Sequence, residues 1–205
     1  MPDHLETEIK LPLRDPAATR AALVRVGAIP HGRYEEFNIR LDDAERRLTA
    51  QGMVLRLRRS ELGSETERTL TLKAGGGDAS SPIQTRREIE VSIGNIADML
   101  ALLAVLGYEP YWRYEKRREV LTWRRVEVAL DEMPYGWFLE IEGPEDSIYA
   151  LVARLGLEPG DGLPYSYAEI FENVRCNLGL DVNDLTFEAF EGVEVPAEAY
   201  YPPGG

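Results

Sequence analysis

The stretch Glu6-Thr7-Glu8-Ile9-Lys10-Leu11 opens the chain with a period of two. Residues two apart in a strand share a face, so Glu6, Glu8 and Lys10 line one side while Leu5, Ile9 and Leu11 line the other. The same alternation returns downstream. Arg56 and Arg58 oppose Leu55 and Leu57, and Lys73 opposes Leu70 and Leu72. Glu88 and Glu90 oppose Ile89 and Val91, and Lys116 aligns with Arg118. Asp131 ends a strand whose other face is Val126, Val128 and Leu130, and Glu140 and Glu142 oppose Leu139 and Ile141.

Period-2 segments at 5–11, 36–42, 53–59, 68–74, 86–93, 113–121, 123–131 and 137–142 predict about eight strands, the count that closes a sheet around an interior. Three stretches repeat one plan of acidic strand, amphipathic helix and glycine: ETEIKLPLRDPAATRAALVRVGA, REIEVSIGNIADMLALLAVLGYEP and FLEIEGPEDSIYALVARLGLE. Asp15 with Pro16 and Asn95 read as helix starts, and Gly27 and Gly107 as the matching exits. Leu23, Val24 and Val26 in the first helix, and Met99, Leu102, Leu103 and Leu106 in the second, form stripes to lay against a sheet. Further helices are predicted from Pro144 to Leu155 and from Tyr167 to Leu178. The reading is one α+β domain over 1–180, an eight-stranded antiparallel β-barrel with helices packed outside, followed by an acidic, partly mobile tail over 181–205. AGGGDASSP at 74–82 has the composition of a flexible loop.

The charges segregate by strand. Segments 53–59, 68–74 and 113–118 contribute cations, whereas 5–11, 86–91 and 137–142 contribute mainly carboxylates. Curled into a barrel, such a sheet has a lumen with one cationic and one anionic wall. Lys and Arg converging on a point suit a polyanion, and carboxylates beside them would repel it unless divalent cations lay between. Hard carboxylate and phosphate oxygens are what Mg²⁺ and Mn²⁺ coordinate, so the pattern points to a metal–triphosphate site.

Composition narrows the alternatives. The 205 residues are 44% apolar, enough for one sizeable core, and the net charge of −13 argues against a nucleic-acid surface. No apolar run approaches the ~20 residues of a membrane span, and MPDHLETEIK lacks the pattern of a leader, so a cytoplasmic protein is expected. A single cysteine, Cys176, fits a reducing compartment and reads as a small buried residue on a helix. His4 and His31 have no ligand spacing and read as surface residues. Only 3 of the 23 basic residues are lysines, namely Lys10, Lys73 and Lys116, and all three fall in the alternating segments.

Together these motifs resemble the CYTH superfamily of triphosphate tunnel metalloenzymes, which includes class IV adenylyl cyclases and thiamine and inorganic triphosphatases. ETEIK resembles the opening Glu-x-Glu-x-Lys signature, VLRLRR the arginine strand, TLTLK the lysine strand, and RREIEV the mid-chain acidic strand. YEKRREV resembles the Lys-x-Arg strand, and LDEMPYGWFLEIEG the Asp, Gly-aromatic and Glu-x-Glu stretch. The resemblance implies a small-molecule triphosphate bound with Mg²⁺ or Mn²⁺. It makes Glu6, Glu8, Asp131, Glu140 and Glu142 metal ligands, and Lys10, Arg56, Arg58, Lys73, Arg87, Lys116 and Arg118 phosphate ligands, with Glu90 binding metal or pairing with a cation. Lys10 is the expected catalytic base in a triphosphatase; cyclisation of ATP and binding without turnover remain open, as does homodimer formation. One departure stands out: FNIRLDD places Arg40 where many members carry a Tyr that partners the first Lys.

Overall fold

The computed structural model describes residues 5–75 and 81–204. Its eight strands are β1 (Leu5–Leu13), β2 (Ile29–Asp42), β3 (Val54–Leu62), β4 (Glu65–Ala74), β5 (Ile83–Ser92), β6 (Glu109–Trp123), β7 (Val126–Met133) and β8 (Gly136–Glu142). They close into a barrel in the order β1-β5-β4-β3-β2-β6-β7-β8, with β8 returning to β1. Every neighbouring pair is antiparallel. The five helices are α1 (Pro16–Arg25), α2 (Arg47–Ala50), α3 (Ile96–Val105), α4 (Glu145–Leu155) and α5 (Tyr167–Leu178). The α+β barrel expected from the alternation is the observed fold.

Local chemistry sets the helix starts. The Asp15 carboxylate accepts from the Ala18 N–H at 2.9 Å, and the Asn95 side chain accepts from Ala97 N–H at 2.7 Å. Ser166 and Glu169 form a reciprocal capping box at the start of α5. The turn α2 carried no apolar period and was not anticipated; it is held by Asp42, whose carboxylate accepts from the backbone of Leu48 and Thr49 and from the Thr49 hydroxyl.

The apolar face of the sheet points outward, beneath the helices. Ile9, Leu11, Val128, Leu139 and Ile141 pack against Leu23 of α1 and Ile148, Leu151 and Val152 of α4. Burial of each such side chain contributes about 1.5–3 kcal/mol. On the far side Ile39, Leu41, Leu55 and Leu57 receive α3. Its contact stripe is Ile96, Met99, Leu100 and Leu103, a run at i, i+3, i+4 and i+7. Leu102 and Leu106, expected in that stripe, are 53% and 64% exposed, because one straight helix rests on a curved sheet along a single line. Val24 of α1 is exposed for the same reason.

A third cluster joins α5 to residues beyond it. Leu185, Phe190, Ala199 and Tyr200 are buried against Trp112, Tyr135, Phe138 and Phe171. Leu185 exchanges backbone hydrogen bonds with Arg113 and Glu115, adding a short parallel bridge to β6 at a stretch where β7 does not pair with it. The segment 181–204, read from its acidic composition as a partly mobile tail, is therefore seated on the barrel: four apolar side chains anchor it between the carboxylates. Cys176 lies on α5 as expected but is exposed, since the buried stripe of that helix is Ile170, Phe171 and Val174. His31 is exposed, whereas His4 and residues 76–80 of the Gly-rich loop lie outside the described residues. No helix among the described residues is long and apolar enough to cross a membrane.

Candidate functional site

With the apolar residues outside, the charged residues face a lumen of about 340 Å³. The three acidic strands of the sequence repeat are neighbours in the barrel, in the order β5-β1-β8, so their carboxylates form one continuous wall. Strands β4, β3, β2 and β6 form the opposite wall and carry Lys73, Arg56, Arg58, Arg40, Lys116 and Arg118 into the same space.

Paired charges line both walls, some within a wall and some across the lumen. Lys73 reaches Glu6 at 2.6 Å and Glu88 at 3.0 Å. Lys10 projects from the acidic wall and meets Glu140 at 3.0 Å and Glu8 at 3.8 Å. Arg118 grips both oxygens of Asp131, at 2.7 and 2.6 Å, and also contacts Glu140. Lys116 lies 3.1 Å from Asp131 and 3.5 Å from Glu36. Arg56 donates to the Tyr114 hydroxyl at 3.3 Å, and Arg58 to the Asn38 side chain at 3.0 Å. From α5, the Tyr167 hydroxyl donates to Asp131 at 2.8 Å, and its ring lies 4.4 Å from the Lys10 ammonium and 5.6 Å from that of Lys116.

Burial and neighbouring charge set the protonation of these groups. Burial works against the Lys10 ammonium, yet Glu140 and Glu8 outweigh it and hold Lys10 above its usual value. Glu140 at 3.0 Å and Glu8 at 3.8 Å thus favour the charged form of Lys10, and a base role would require that hold to be relieved. Lys116 moves the other way, lowered by burial and by Arg118 against the pull of Asp131. Burial opposes ionisation of Glu36, but Arg58 and Lys116 hold its carboxyl down at about 2. Tyr114, also buried, is drawn down to about 8 by Arg56 and Arg58.

The carboxylates at one end of the lumen are in the opposite situation. Glu8, Glu142 and Glu127 are successive register partners across β1, β8 and β7, a row of like charges met at one end by Lys10, 3.8 Å from Glu8. Burial and the charges of Glu6, Glu127 and Glu8 push Glu142 up to about 8 despite Lys73 nearby. Burial likewise raises Glu6. Among the described residues no three acidic, His or Cys side chains already converge on one point at ligating distance. The donor set nonetheless fits a hard divalent cation by its chemistry, because crowded carboxylate oxygens gain from a cation between them, most of all those of Glu6 and Glu142, whose proton affinity is raised.

Most of the residues expected in the site line the lumen together: Glu6, Glu8, Lys10, Arg56, Arg58, Lys73, Lys116, Arg118, Glu140 and Glu142. Two do not. Arg87 is exposed on the outer face with Leu5, and Arg86 occupies the lumen in its place. The parity of Glu88 and Glu90 already put position 86, not 87, on the inner face. Asp131 is on the inner side but 0% exposed, its oxygens taken by Arg118, Lys116 and Tyr167, which fits a positioning group better than a ligand. Glu36, Arg86 and Glu127 were missed, although each shares parity with a neighbour assigned to the inner face. Tyr167 had no such signal, since its place depends on how α5 closes over the barrel end.

A CYTH domain model matches residues 4–154. The chain belongs to the CYTH family. No curated protein matches the sequence. Among solved structures, a putative adenylate cyclase from Vibrio parahaemolyticus shares 21% identity at a TM-score of 0.72, covering 82% of this chain and 98% of that one. PH1819 from Pyrococcus horikoshii OT3 shares 25% identity at 0.69, with 82% and 98% covered. The putative adenylyl cyclase HpAC1 from Hippeastrum, described as having a dominant triphosphatase activity, shares 20% identity at 0.60, with 82% and 95% covered. These likenesses place the CYTH barrel among known folds. The family match ends at residue 154, so α5, with the Tyr167 that closes the lumen, lies outside it.

Proposed function

We propose that this CYTH protein binds a triphosphate together with a divalent cation inside the barrel and cleaves a phosphoanhydride bond with water. The observation that carries this reading is the opposition of a cationic and a carboxylate wall across one enclosed lumen. Arg56, Arg58, Lys73, Lys116 and Arg118, with Lys10, would hold phosphate oxygens and stabilise the charge that builds on them as the bond breaks. Glu6, Glu8 and Glu142, with Glu127 beside them, would hold Mg²⁺ or Mn²⁺, whereas Glu140, also expected among the metal ligands, is paired with Lys10 and Arg118. A cation there would neutralise phosphate oxygens that the carboxylates otherwise repel. Asp131 and Tyr167 orient Arg118, Lys116 and Lys10 from behind. Family membership supports the same reading, as does the triphosphatase activity described for HpAC1.

The test uses the full chain with Mg²⁺ or Mn²⁺ and tripolyphosphate, ATP or thiamine triphosphate. Phosphate release is the expected result. Pyrophosphate with a cyclic nucleotide would make the protein a cyclase, and saturable binding without turnover a sensor.

A further inference from the structure

Attack by water is speeded by a group that takes up its proton, and the charged walls leave few candidates for that task. The ammonium form of Lys10 is favoured by Glu140 and Glu8. Lys116, although lowered by burial and by Arg118, is gripped as a cation by Asp131 at 3.1 Å and Glu36 at 3.5 Å. Glu36 in turn is held at about 2, too weak a base to draw a proton from water. Glu140 is taken by Lys10 and Arg118, and the arginines keep their protons.

Two phenols also line the lumen, Tyr114 and Tyr167, and their surroundings are opposite. The Tyr167 hydroxyl donates to Asp131 at 2.8 Å; burial, with the charges of Asp131 and Glu140, pushes it well above its usual value, so it stays protonated. Tyr114, 7% exposed, stands on the cationic wall. Its hydroxyl accepts from Arg56 at 3.3 Å, and its own O–H has no acceptor among the described residues. Arg56 and Arg58 act on it from β3 and Lys116 from two residues along β6. On β2 its register partner Asn38 is flanked on the same face by Glu36 and Arg40. Tyr135, between β7 and β8, is kept neutral by burial and adds no charge. Cations therefore outnumber the single carboxylate. Burial opposes ionisation of the phenol, yet Arg56 and Arg58 draw it down to about 8.

The ring is fixed while the hydroxyl proton is unclaimed. It stacks on Trp112 at 4.8 Å, and Trp112 stacks on Phe171 of α5 at 5.5 Å. Leu185 bonds to the backbone of Arg113 and Glu115 on either side of Tyr114, so the C-terminal segment steadies β6 where β7 does not pair with it.

We propose that Tyr114 is the general base of the hydrolysis. This rests on the triphosphate reading above and assigns its proton transfer to a residue. As the water oxygen bonds to phosphorus, its proton passes to the Tyr114 phenolate. The bond to the bridging oxygen breaks, and its electron pair leaves on the departing phosphate. The phenol then gives the proton to solvent, and Arg56 stabilises the phenolate between turnovers.

The test follows phosphate release from tripolyphosphate, ATP and thiamine triphosphate by the full chain with Mg²⁺ across a pH series. The value of kcat/KM, which reports the free protein, is expected to rise tenfold per pH unit and level at about 8. The kcat profile should level at a higher pH, because bound phosphates oppose ionisation of the phenol. Tyr114→Phe keeps the stacked ring and is expected to lose about 10²–10⁴-fold in kcat together with the rising limb, while KM changes by less than about threefold. Ultraviolet difference titration of the free protein should show a phenolate step near pH 8 that is absent from Tyr114→Phe. Arg56→Gln should move both the step and the limb to higher pH, and it carries the test if the Phe variant does not fold; circular dichroism verifies each fold. The assignment is overturned if Tyr114→Phe turns over within threefold of the parent, or if it is slow but keeps the limb at the same pH, which would pass the base role to Lys116. If the parent releases no phosphate from any of the three, the hydrolytic reading falls and the assignment with it.

Discussion

Lys10 and Glu140 are direct register partners across β1 and β8, and their side chains meet at 3.0 Å inside the lumen. The pairing favours the charged lysine, so the contribution expected of it is electrostatic. Lys10→Met is expected to lower turnover about 10²-fold or more, the scale seen when one preorganised charge-stabilising donor is lost. Lys10→Arg should retain far more activity than Lys10→Met, because an arginine supplies charge but cannot act as a base. Initial rates of phosphate release decide it, and an Arg variant as inactive as the Met variant, with its fold intact, would restore the base role.

Arg86 and Arg87 are adjacent in sequence but lie on opposite faces of β5, so equal substitutions should have unequal effects. Arg86→Gln is expected to weaken tripolyphosphate binding by about tenfold, the loss of one charge-assisted contact. Arg87→Gln should leave it within about twofold, as exposed charges contribute little. Calorimetric titration of both variants at one ionic strength is the check, and equal losses would contradict the assigned faces.

Glu142, with its carboxyl pushed up to about 8, makes stability depend on pH in a defined direction. Its folded value exceeds the ordinary 4.5, so the folded state holds the extra proton and stability falls as pH rises between the two values. Glu142→Gln is therefore expected to stabilise the metal-free protein, little near pH 4.5 and most above pH 8. Urea midpoints across that range test this, and added Mg²⁺ should narrow the difference between variant and parent. A gain independent of pH would contradict it.

Gly136 sits beneath the Tyr200 side chain, where a Cβ would overlap the tyrosine hydroxyl. That hydroxyl donates to the Tyr135 carbonyl at 3.0 Å and pins the C-terminal segment to the β7–β8 turn. Gly136→Ala is expected to destabilise the protein by about 1–3 kcal/mol, through overpacking together with the strain of a side chain at the positive φ of this position. Adding Tyr200→Phe removes the clashing oxygen and should recover part of the loss, a coupling that a double-mutant cycle of unfolding free energies measures. Strict additivity of the two changes would show that the contact is not the cause.

Alternation alone made most of the inner face legible. Within each strand one inward residue sets the parity of the rest, and the assignment of Arg87 failed only where that rule was not applied. Strand closure was legible too, since about eight amphipathic strands with helices to cover their apolar side have few other ways to hide both faces. The extent of α3 contact and the seating of 181–204 were not. Both depend on curvature and on a few apolar residues reaching across long stretches of chain, which a local period does not record.

The order of residues along this chain was enough to determine which side chains face inward and which charges each strand brings, because strand parity is a local property of the backbone. Only the tertiary structure decided which inward charges touch: that Lys10 meets Glu140, that Asp131 is consumed by Arg118 and Lys116, and that Glu142 stands among like charges. Those outcomes follow from register, barrel closure and the docking of α5, and they govern protonation because electrostatic energy depends on distance and burial rather than on position in the sequence.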